Sequence, residues 1–415
     1  MSTRTRKKPP ARPPAAVAGP RTGLVLTAGG ARGAYQAGVL KRVSEIPRLR
    51  GRAAPFPIIT GASAGAINGA ALAAWHGDFS EGSEQLARLW AALKMTDVVR
   101  TDPAALARGA KDLALDMALG GLTGAGRTQA LLDASPLEGF LTQHLPLDRI
   151  AGAISAGTLE AIAVTATGYH SGKAFTFVQG RPGRPLWNKS RRVALATTLT
   201  RDHIRASAAI PIVFPPVPLA AGGSTAWFGD GALRLTTPLS PAIRLGAERL
   251  FAIGVRCQES ADSLLRSELS TAGDVVPELH RPPLAQICGV FMNAIFLDHL
   301  DADLDHLKRM NELVAAYQQV AQGRVQPGVS EPMRVVKSLT VSPSADIAII
   351  AKTLAHRMPR SLRYVLDGLG TPDAQSADLT SFLLFDNAFT RELIALGYRD
   401  AAQRIDEIEA FLLED

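Results

Sequence analysis

The 415-residue sequence predicts a three-layer α/β/α fold with a mainly parallel sheet and additional C-terminal helices. Two short apolar runs, 23–27 and 56–60, each lead through a glycine-bearing turn into a stretch of small and apolar residues at helical spacing. Strand, helix and strand in such close succession make a βαβ unit, whose parallel strands are covered on both faces. Beyond residue 284 the apolar residues recur mostly with the helical period, which adds helices after the sheet.

In chain order, Gly23–Thr27 reads as the first strand. It ends in Ala28-Gly29-Gly30-Ala31-Arg32-Gly33, and Ala34, Ala37, Val39, Leu40 and Val43 continue as a helix. Phe56–Thr60 is the second strand, followed by Gly61-Ala62-Ser63-Ala64-Gly65 and a small-residue helix through Trp75. Residues 159–167 and 173–178 read as a pair of strands. Trp227-Phe228-Gly229-Asp230-Gly231 ends another, 250–255 is a short apolar strand, and 335–341 is the last. Residues 284–322 form a long helical pattern, and 344–415 read mostly as helices. The expected organisation is a disordered basic Pro-rich tail over 1–22, a catalytic core over 23–258, a polar, Pro-rich linker or lid over 259–283, and a mainly helical extension over 284–415 packed on the core.

Composition excludes several classes. The net charge of +7 concentrates in the tail, where Arg4, Arg6, Lys7, Lys8, Arg12 and Arg21 stand with no acid. Without those six cations the chain is near +1, so its charge does not mark a nucleic-acid-binding surface. The tail prolines (Pro9, Pro10, Pro13, Pro14, Pro20) bar a helix, and no apolar run has signal-peptide length. No stretch reaches the roughly 18 apolar residues of a membrane span. The nearest approach, Leu284–Leu297, contains Gln286 and Asn293 and reads as a buried helix. Two cysteines, Cys257 and Cys288, cannot build a disulfide framework, which points to a reducing, cytoplasmic location. The basic tail adds an expected peripheral contact with anionic membranes. Asp301, Asp303, Asp305 and Glu312 occupy calcium-loop spacing, but His306 stands where the loop needs glycine, and Leu300, Leu304 and Leu307 keep a helical period. No metal is expected there.

Gly61-Ala62-Ser63-Ala64-Gly65 is a Gly-x-Ser-x-Gly motif placed between strand and helix. A hydroxyl presented at so sharp a turn needs flanking residues without Cβ atoms, and the helix that follows turns its N-terminal amides toward a developing negative charge. The bland reading of the same residues is a tight turn in a small-residue helix. The turn at Gly29-Gly30-Ala31-Arg32-Gly33 also opens a helix, and successive N–H groups there form an anion-binding concavity. A dinucleotide site would need an acid at the end of the second strand, where Thr60-Gly61 stands instead. Both turns lie at the carboxyl ends of consecutive parallel strands, hence on one edge of the sheet. Of the eight histidines none has a glycine-flanked strand-end setting, whereas Asp230 sits between Gly229 and Gly231 after a strand.

The glycine-rich turn with Arg32, the Ser63 elbow and the Asp230-Gly231-Ala232 triplet, in this order, resemble the patatin-like phospholipases. Residues 206–216, 381–386 and 393–401 also resemble segments of the bacterial members, so the likeness spans roughly 23–401. The resemblance implies hydrolysis of acyl esters in lipids or phospholipids by a Ser–Asp dyad, without metal or organic cofactor. Ser63 would be the nucleophile and Asp230 its base. Gly29, Gly30 and Ala31 would be the oxyanion loop, and Gly33, Gly61, Gly65 and Gly231 motif glycines. Arg32 matches the family's basic loop residue and is either an auxiliary group or a surface charge at a helix start. Ala28 departs from the family's usual glycine. Two rivals stand beside this reading. One is an α/β-hydrolase with a Ser–Asp–His triad, for which His356 is the candidate histidine. The other is a non-catalytic lipid-binding protein on a hydrolase fold.

Overall fold

The computed structural model describes residues 20–109, 111, 115, 130–184, 186–221, 223–257, 284–296, 298–321, 333–367 and 377–414. The basic tail up to residue 19 and the 259–283 lid segment lie outside the described residues. The strands are β1 (Thr22–Leu26), β2 (Ile58–Ala62), β3 (Ala161–Gly168), β4 (Lys173–Gly180), β5 (Arg192–Ala196), β6 (Val217–Ala221), β7 (Ser224–Asp230), β8 (Arg249–Ile253) and β9 (Lys337–Val341). They form one sheet in the order β5-β4-β3-β2-β1-β8-β9, with β7 beside β3 and β6 beside β7. From β3 to β9 all neighbours on that path are parallel, while β4 and β7 run antiparallel to β3.

The strands are short and apolar throughout because both faces are buried. Along β1, Leu24 and Leu26 join one core cluster and Val25 the other. Along β8, Phe251 and Ile253 alternate with Leu250 and Ala252 in the same way. One cluster is closed by α1 (Ala34–Ser44), α2 (Ala64–Ala74), α3 (Phe79–Ala92) and the C-terminal α14 (Asn387–Gln403), the other by α8 (Ser240–Arg244) and α10 (Asp298–Ala321). Between these lie α4 (Met95–Val98), α5 (Ser135–His144), α6 (Arg149–Ser155), α7 (Arg201–Ser207) and α9 (Leu284–Phe296). Then come α11 (Ile347–Leu354), α12 (Arg360–Asp367), α13 (Ala377–Leu383) and α15 (Ile405–Leu413). The result is the expected three-layer α/β/α arrangement with a mainly parallel sheet.

The long helical pattern from 284 consists of two helices, α9 and α10, and β9 continues the central sheet beyond β8. Strands β5 and β6 had no counterpart in the sequence reading. The first is a half-buried edge strand, and the second alternates buried and exposed positions but reads Val-Pro-Leu-Ala-Ala, apolar on both faces, so neither shows a strand period in the sequence. The chain enters the fold at Arg21, whose guanidinium pairs with Glu248 at 2.7 Å, and Thr22 already belongs to β1.

Helices α1 and α14 approach until backbone meets backbone. A Cβ on Gly38 would lie 2.0 Å from the Ile394 carbonyl oxygen, and one on Gly397 would lie 2.2 Å from that of Tyr35. Gly397→Ala should therefore push the helices apart and destabilise the protein by about 1–3 kcal/mol. Gly139→Ala, in the exposed middle of α5 with nothing within 4 Å of the new methyl, should stabilise by about 0.5–1 kcal/mol. Chemical denaturation of the two variants checks the opposite signs.

Candidate active site

β2 ends at Ala62 and α2 begins at Ala64, so the whole change of direction falls on Ser63, which caps the helix with φ 55° and ψ −125°. Strain of this kind is on the order of 1–3 kcal/mol and persists only where surrounding packing imposes it. The packing is visible in the flanking glycines. A Cβ on Gly61 would lie 2.2 Å from the Gly65 carbonyl oxygen, and one on Gly65 would lie 2.1 Å from that of Leu26. The Ser63 N–H donates to Ser207 Oγ at 3.0 Å, and that hydroxyl donates to the Thr165 carbonyl at 2.6 Å.

Asp230 reaches the same place from the other direction. β2 pairs with β3 as far as Ala62 opposite Thr165. At the next residue of β3, Ala166, the partner is Asp230 at the end of antiparallel β7. Two strands thus meet end to end along one edge of β3, with Ser63 and Asp230 at the junction. The Asp230 backbone is held on both sides, its N–H donating to Ala209 O at 2.8 Å and its carbonyl accepting from Thr167 Oγ1 at 2.8 Å. Gly231 is required because a Cβ there would lie 2.0 Å from Thr165 O.

The Asp230 side chain is fully buried, and only Oδ1 makes a hydrogen bond, accepting the Ala232 N–H at 2.9 Å. Oδ2 is buried and receives no hydrogen bond of regular geometry. Burial pushes the carboxyl pKa up to about 7, offset in part by the Ser63 hydroxyl and the Ala232 amide. Ser63 and Asp230 are therefore neighbours whose mutual hydrogen bond is not of regular geometry.

The glycine-rich turn is a 3-10 turn over Gly30–Gly33, and its first amides have no intrahelical acceptor. Gly30, at φ 56°, lines the same pocket as Ser63. Its α-carbon is backed by the C-terminal part of the chain, since a Cβ there would lie 2.4 Å from the Phe382 carbonyl oxygen. Arg32 is neither a surface charge nor a lining residue of this pocket. Its side chain is 3% exposed, with Nε donating to Ser381 Oγ at 2.7 Å and Nη2 to Asp378 Oδ1 at 2.8 Å. The guanidinium also lies 4.4 Å from the centre of the Phe382 ring. Burial lowers its pKa, and Asp378 opposes the shift. Gly33 packs on α2, where a Cβ would lie 2.6 Å from that of Ala64. Ala28 sits in the core without touching the Ser63 pocket.

That pocket is a narrow, mostly apolar crevice of about 40 Å³ between Ser63, Gly30, Ile67, Trp90, Leu93, Val98, Leu141, Ile210, Phe214 and Phe385. Its lining is apolar apart from Ser63 and the Trp90 indole, and no charged side chain is among the residues that line it.

Sequence reasoning assigned no role to Ser207, Ala209 or Thr167, which fix the backbones of Ser63 and Asp230. It also missed the buried network behind the turns. Asn68 Nδ2 donates to Gly33 O and Gln36 Oε1, Trp90 Nε1 donates to Asn68 Oδ1, and Gln36 Nε2 donates to Thr27 O. Polar residues inside otherwise apolar helices were the available signal. His356 is exposed, its Nδ1 3.1 Å from Thr353 O, and among the described residues no histidine bonds either oxygen of Asp230. The acids at 301–305 lie on α10, and Asp303 is buried, accepting the Leu239 N–H.

A model of the patatin-like phospholipase family matches residues 24–243, more than half of the chain, and this protein belongs to that family. Membership supports a lipid acyl hydrolase activity. Among solved structures the chain is similar to VipD from Legionella pneumophila, with 13% identity, 94% of this chain and 68% of that chain covered, and a TM-score of 0.29. No curated protein matches the sequence. No helix among the described residues is long and apolar enough to cross a membrane.

The Arg32–Asp378 pair ties the turn to α13. Asp378→Ala should leave the buried guanidinium with the Ser381 hydroxyl and the Phe382 ring but no carboxylate bond, and destabilise by about 1–3 kcal/mol, less than a fully buried pair because Asp378 is one-third exposed. Urea denaturation measures it, and a change of less than 0.5 kcal/mol, as for an ordinary surface substitution, would show the pair to be dispensable.

Proposed function

We propose that the protein hydrolyses acyl esters of lipids by a Ser–Asp dyad through an acyl-serine intermediate, as a phospholipase A or lipase type of serine hydrolase. The observation that carries this reading is the junction itself. A strained serine at a helix start stands beside a buried carboxylate with an unused oxygen, on a pocket that it shares with Gly30.

In the proposed cycle the acyl chain occupies the apolar pocket and the ester carbonyl lies at Ser63. Asp230, through Oδ2, accepts the hydroxyl proton as Ser63 Oγ attacks. The amides of Gly29, Gly30 and Ala31, with the start of α2, receive the oxyanion. The alcohol departs with the proton from Asp230, and water, activated by the same carboxylate, releases the fatty acid. Neither a histidine nor a metal takes part in these steps.

Ser63→Ala should abolish ester hydrolysis while keeping the fold. Asp230→Asn should lower kcat by about 10⁴. Persistence of either activity near the wild-type level on a short-chain nitrophenyl ester would move the chemistry elsewhere, whereas His356→Ala should leave the rate intact.

The pKa of Asp230 sets the pH dependence. A carboxyl protonated below about 7 cannot act as base, so kcat/KM should fall tenfold per pH unit below about 7 and level off above it. Stability moves oppositely. The folded pKa lies above the unfolded value, so the protein binds this proton more tightly when folded, and stability is lost as pH rises from about 4 through 7. Asp230→Asn should therefore be more stable than wild type at pH 8–9 by about 2–4 kcal/mol and lose that advantage near pH 4. Guanidinium denaturation at the two pH values tests the sign.

A further inference from the structure

Only two non-glycine residues among the described ones have positive φ, Ser63 and Ile212, the latter at 70°. The position of Ser63 explains its strain. Ile212 has no such role, and a β-branched side chain is among the least suited to that backbone. The same side chain is 68% exposed. Its backbone is nevertheless pinned, the Ile212 carbonyl accepting the Leu131 N–H at 2.7 Å and the Val213 carbonyl accepting that of Leu132 at 3.0 Å. Folding is served neither by the conformation nor by the exposure of this residue, since asparagine or glycine would fit the turn better and leave less apolar surface in water.

The neighbourhood indicates what Ile212 meets. Ile210 and Phe214, two residues to either side, line the Ser63 pocket, so Ile212 lies within about 7 Å of the pocket wall along the chain. Ala209, at the base of the loop, holds the Asp230 amide. From Ala208 to Val217 the sequence AAIPIVFPPV carries no polar side chain, and Pro211, Val213, Pro215 and Pro216 are half-buried around the exposed isoleucine. A protein partner would be met by a polar rim and hydrogen-bonding groups around the apolar centre. A rigid loop whose own side chains are all apolar fits a hydrocarbon surface.

We propose that Ile212 is the point at which the enzyme enters a lipid surface, setting the mouth of the Ser63 pocket against the acyl chains it withdraws. The inference rests on the lipid-ester reading above. The loop is held rigid, so contact needs no rearrangement, and the strain of the turn is retained because it projects the side chain outward.

The test uses the full-length protein. Binding is read by co-sedimentation with phosphatidylcholine vesicles, whose zwitterionic surface gives the basic tail no charge to follow, in a Ser63→Ala background that leaves the lipid intact. Hydrolysis is read on a soluble short-chain nitrophenyl ester with Ser63 present. Ile212→Asn, which suits positive φ, should keep or raise Tm, lower the vesicle partition coefficient about tenfold, and leave kcat/KM on the soluble ester unchanged. Ile212→Leu should retain binding. Vesicle binding by Ile212→Asn equal to that of the parent, or no binding by the parent at all, overturns the proposal, as does an equal loss on vesicles and soluble ester. Ile212-dependent binding in a protein that cleaves no ester would instead sink the hydrolase reading and leave the lipid contact standing.

Discussion

Between Thr165 and Ala166 the neighbour of β3 on one edge changes from β2 to β7. A β-strand offers one row of hydrogen-bonding groups to each side, so two strands can share an edge only by ending where the other begins. Parallel β2 must stop at Ala62, and antiparallel β7 must stop at Asp230. Each strand then has to leave the sheet within a residue of the other, which imposes the positive φ at Ser63 and the immediate turn at Gly231. The glycines follow as a consequence. Gly61 and Gly65 touch each other's backbone, Gly65 touches Leu26, and Gly231 touches Thr165, because two chain reversals are packed into the space of one. Ser207 fills the remaining gap by bonding Ser63 N and Thr165 O together.

Such a junction is unfavourable for a carboxylate. An ionised group removed from water needs compensating partners, and Asp230 receives one amide while its second oxygen receives none. Its pKa near 7 is the direct consequence. A lysine or arginine beside it would restore an ordinary acid and a more stable protein, but it would also hold the carboxylate ionised and weakly basic. The existing arrangement leaves a carboxylate of raised proton affinity beside Ser63, which is what the proposed role as base requires. Strain at Ser63 and burial of Asp230 are two costs at a single point, each maintained by the sheet around it.

Much of this was legible in the sequence because it is local. Apolar runs ending in glycine-rich turns mark strand ends, and they set Ser63 and the 29–33 turn on one edge of the sheet, whereas Asp230 was marked only as a glycine-flanked strand end and was joined to Ser63 by the family resemblance. The edge strands β5 and β6 escaped because the first is only partly buried and the second puts Pro218 and Ala220 at its exposed positions, so no alternation of polar and apolar residues marks either. The supporting shell escaped for a different reason. Ser207 is 144 residues from Ser63, and Ser381 is 349 from Arg32. Nothing in the spacing of a lone serine or a helix-start arginine reveals so distant a partner. Arg32 shows the limit plainly: its loop position fits a surface charge or a site residue equally well, and only the fold discloses that a C-terminal helix covers it.

That covering ties the two halves of the chain into one site. The family match ends at residue 243, yet the turn that faces Ser63 is backed by Phe382, and its arginine is neutralised by Asp378 and bonded by Ser381. A guanidinium 3% exposed needs its carboxylate, for a buried cation without one is strongly destabilising. Phe382 adds its ring to the same cation and its carbonyl to the Gly30 α-carbon, while Phe385, three residues on, lines the pocket at Ser63. The strand β9 and the close crossing of α14 on α1 anchor this region to the sheet. Any motion that lifted α13 would therefore strand Arg32, free the Gly30 backbone and open one wall of the pocket together. The glycine turn is thus held by residues more than 340 positions away, and on the proposed reading the rigidity that oxyanion binding demands comes from outside the segment that carries the glycine turn, Ser63 and Asp230.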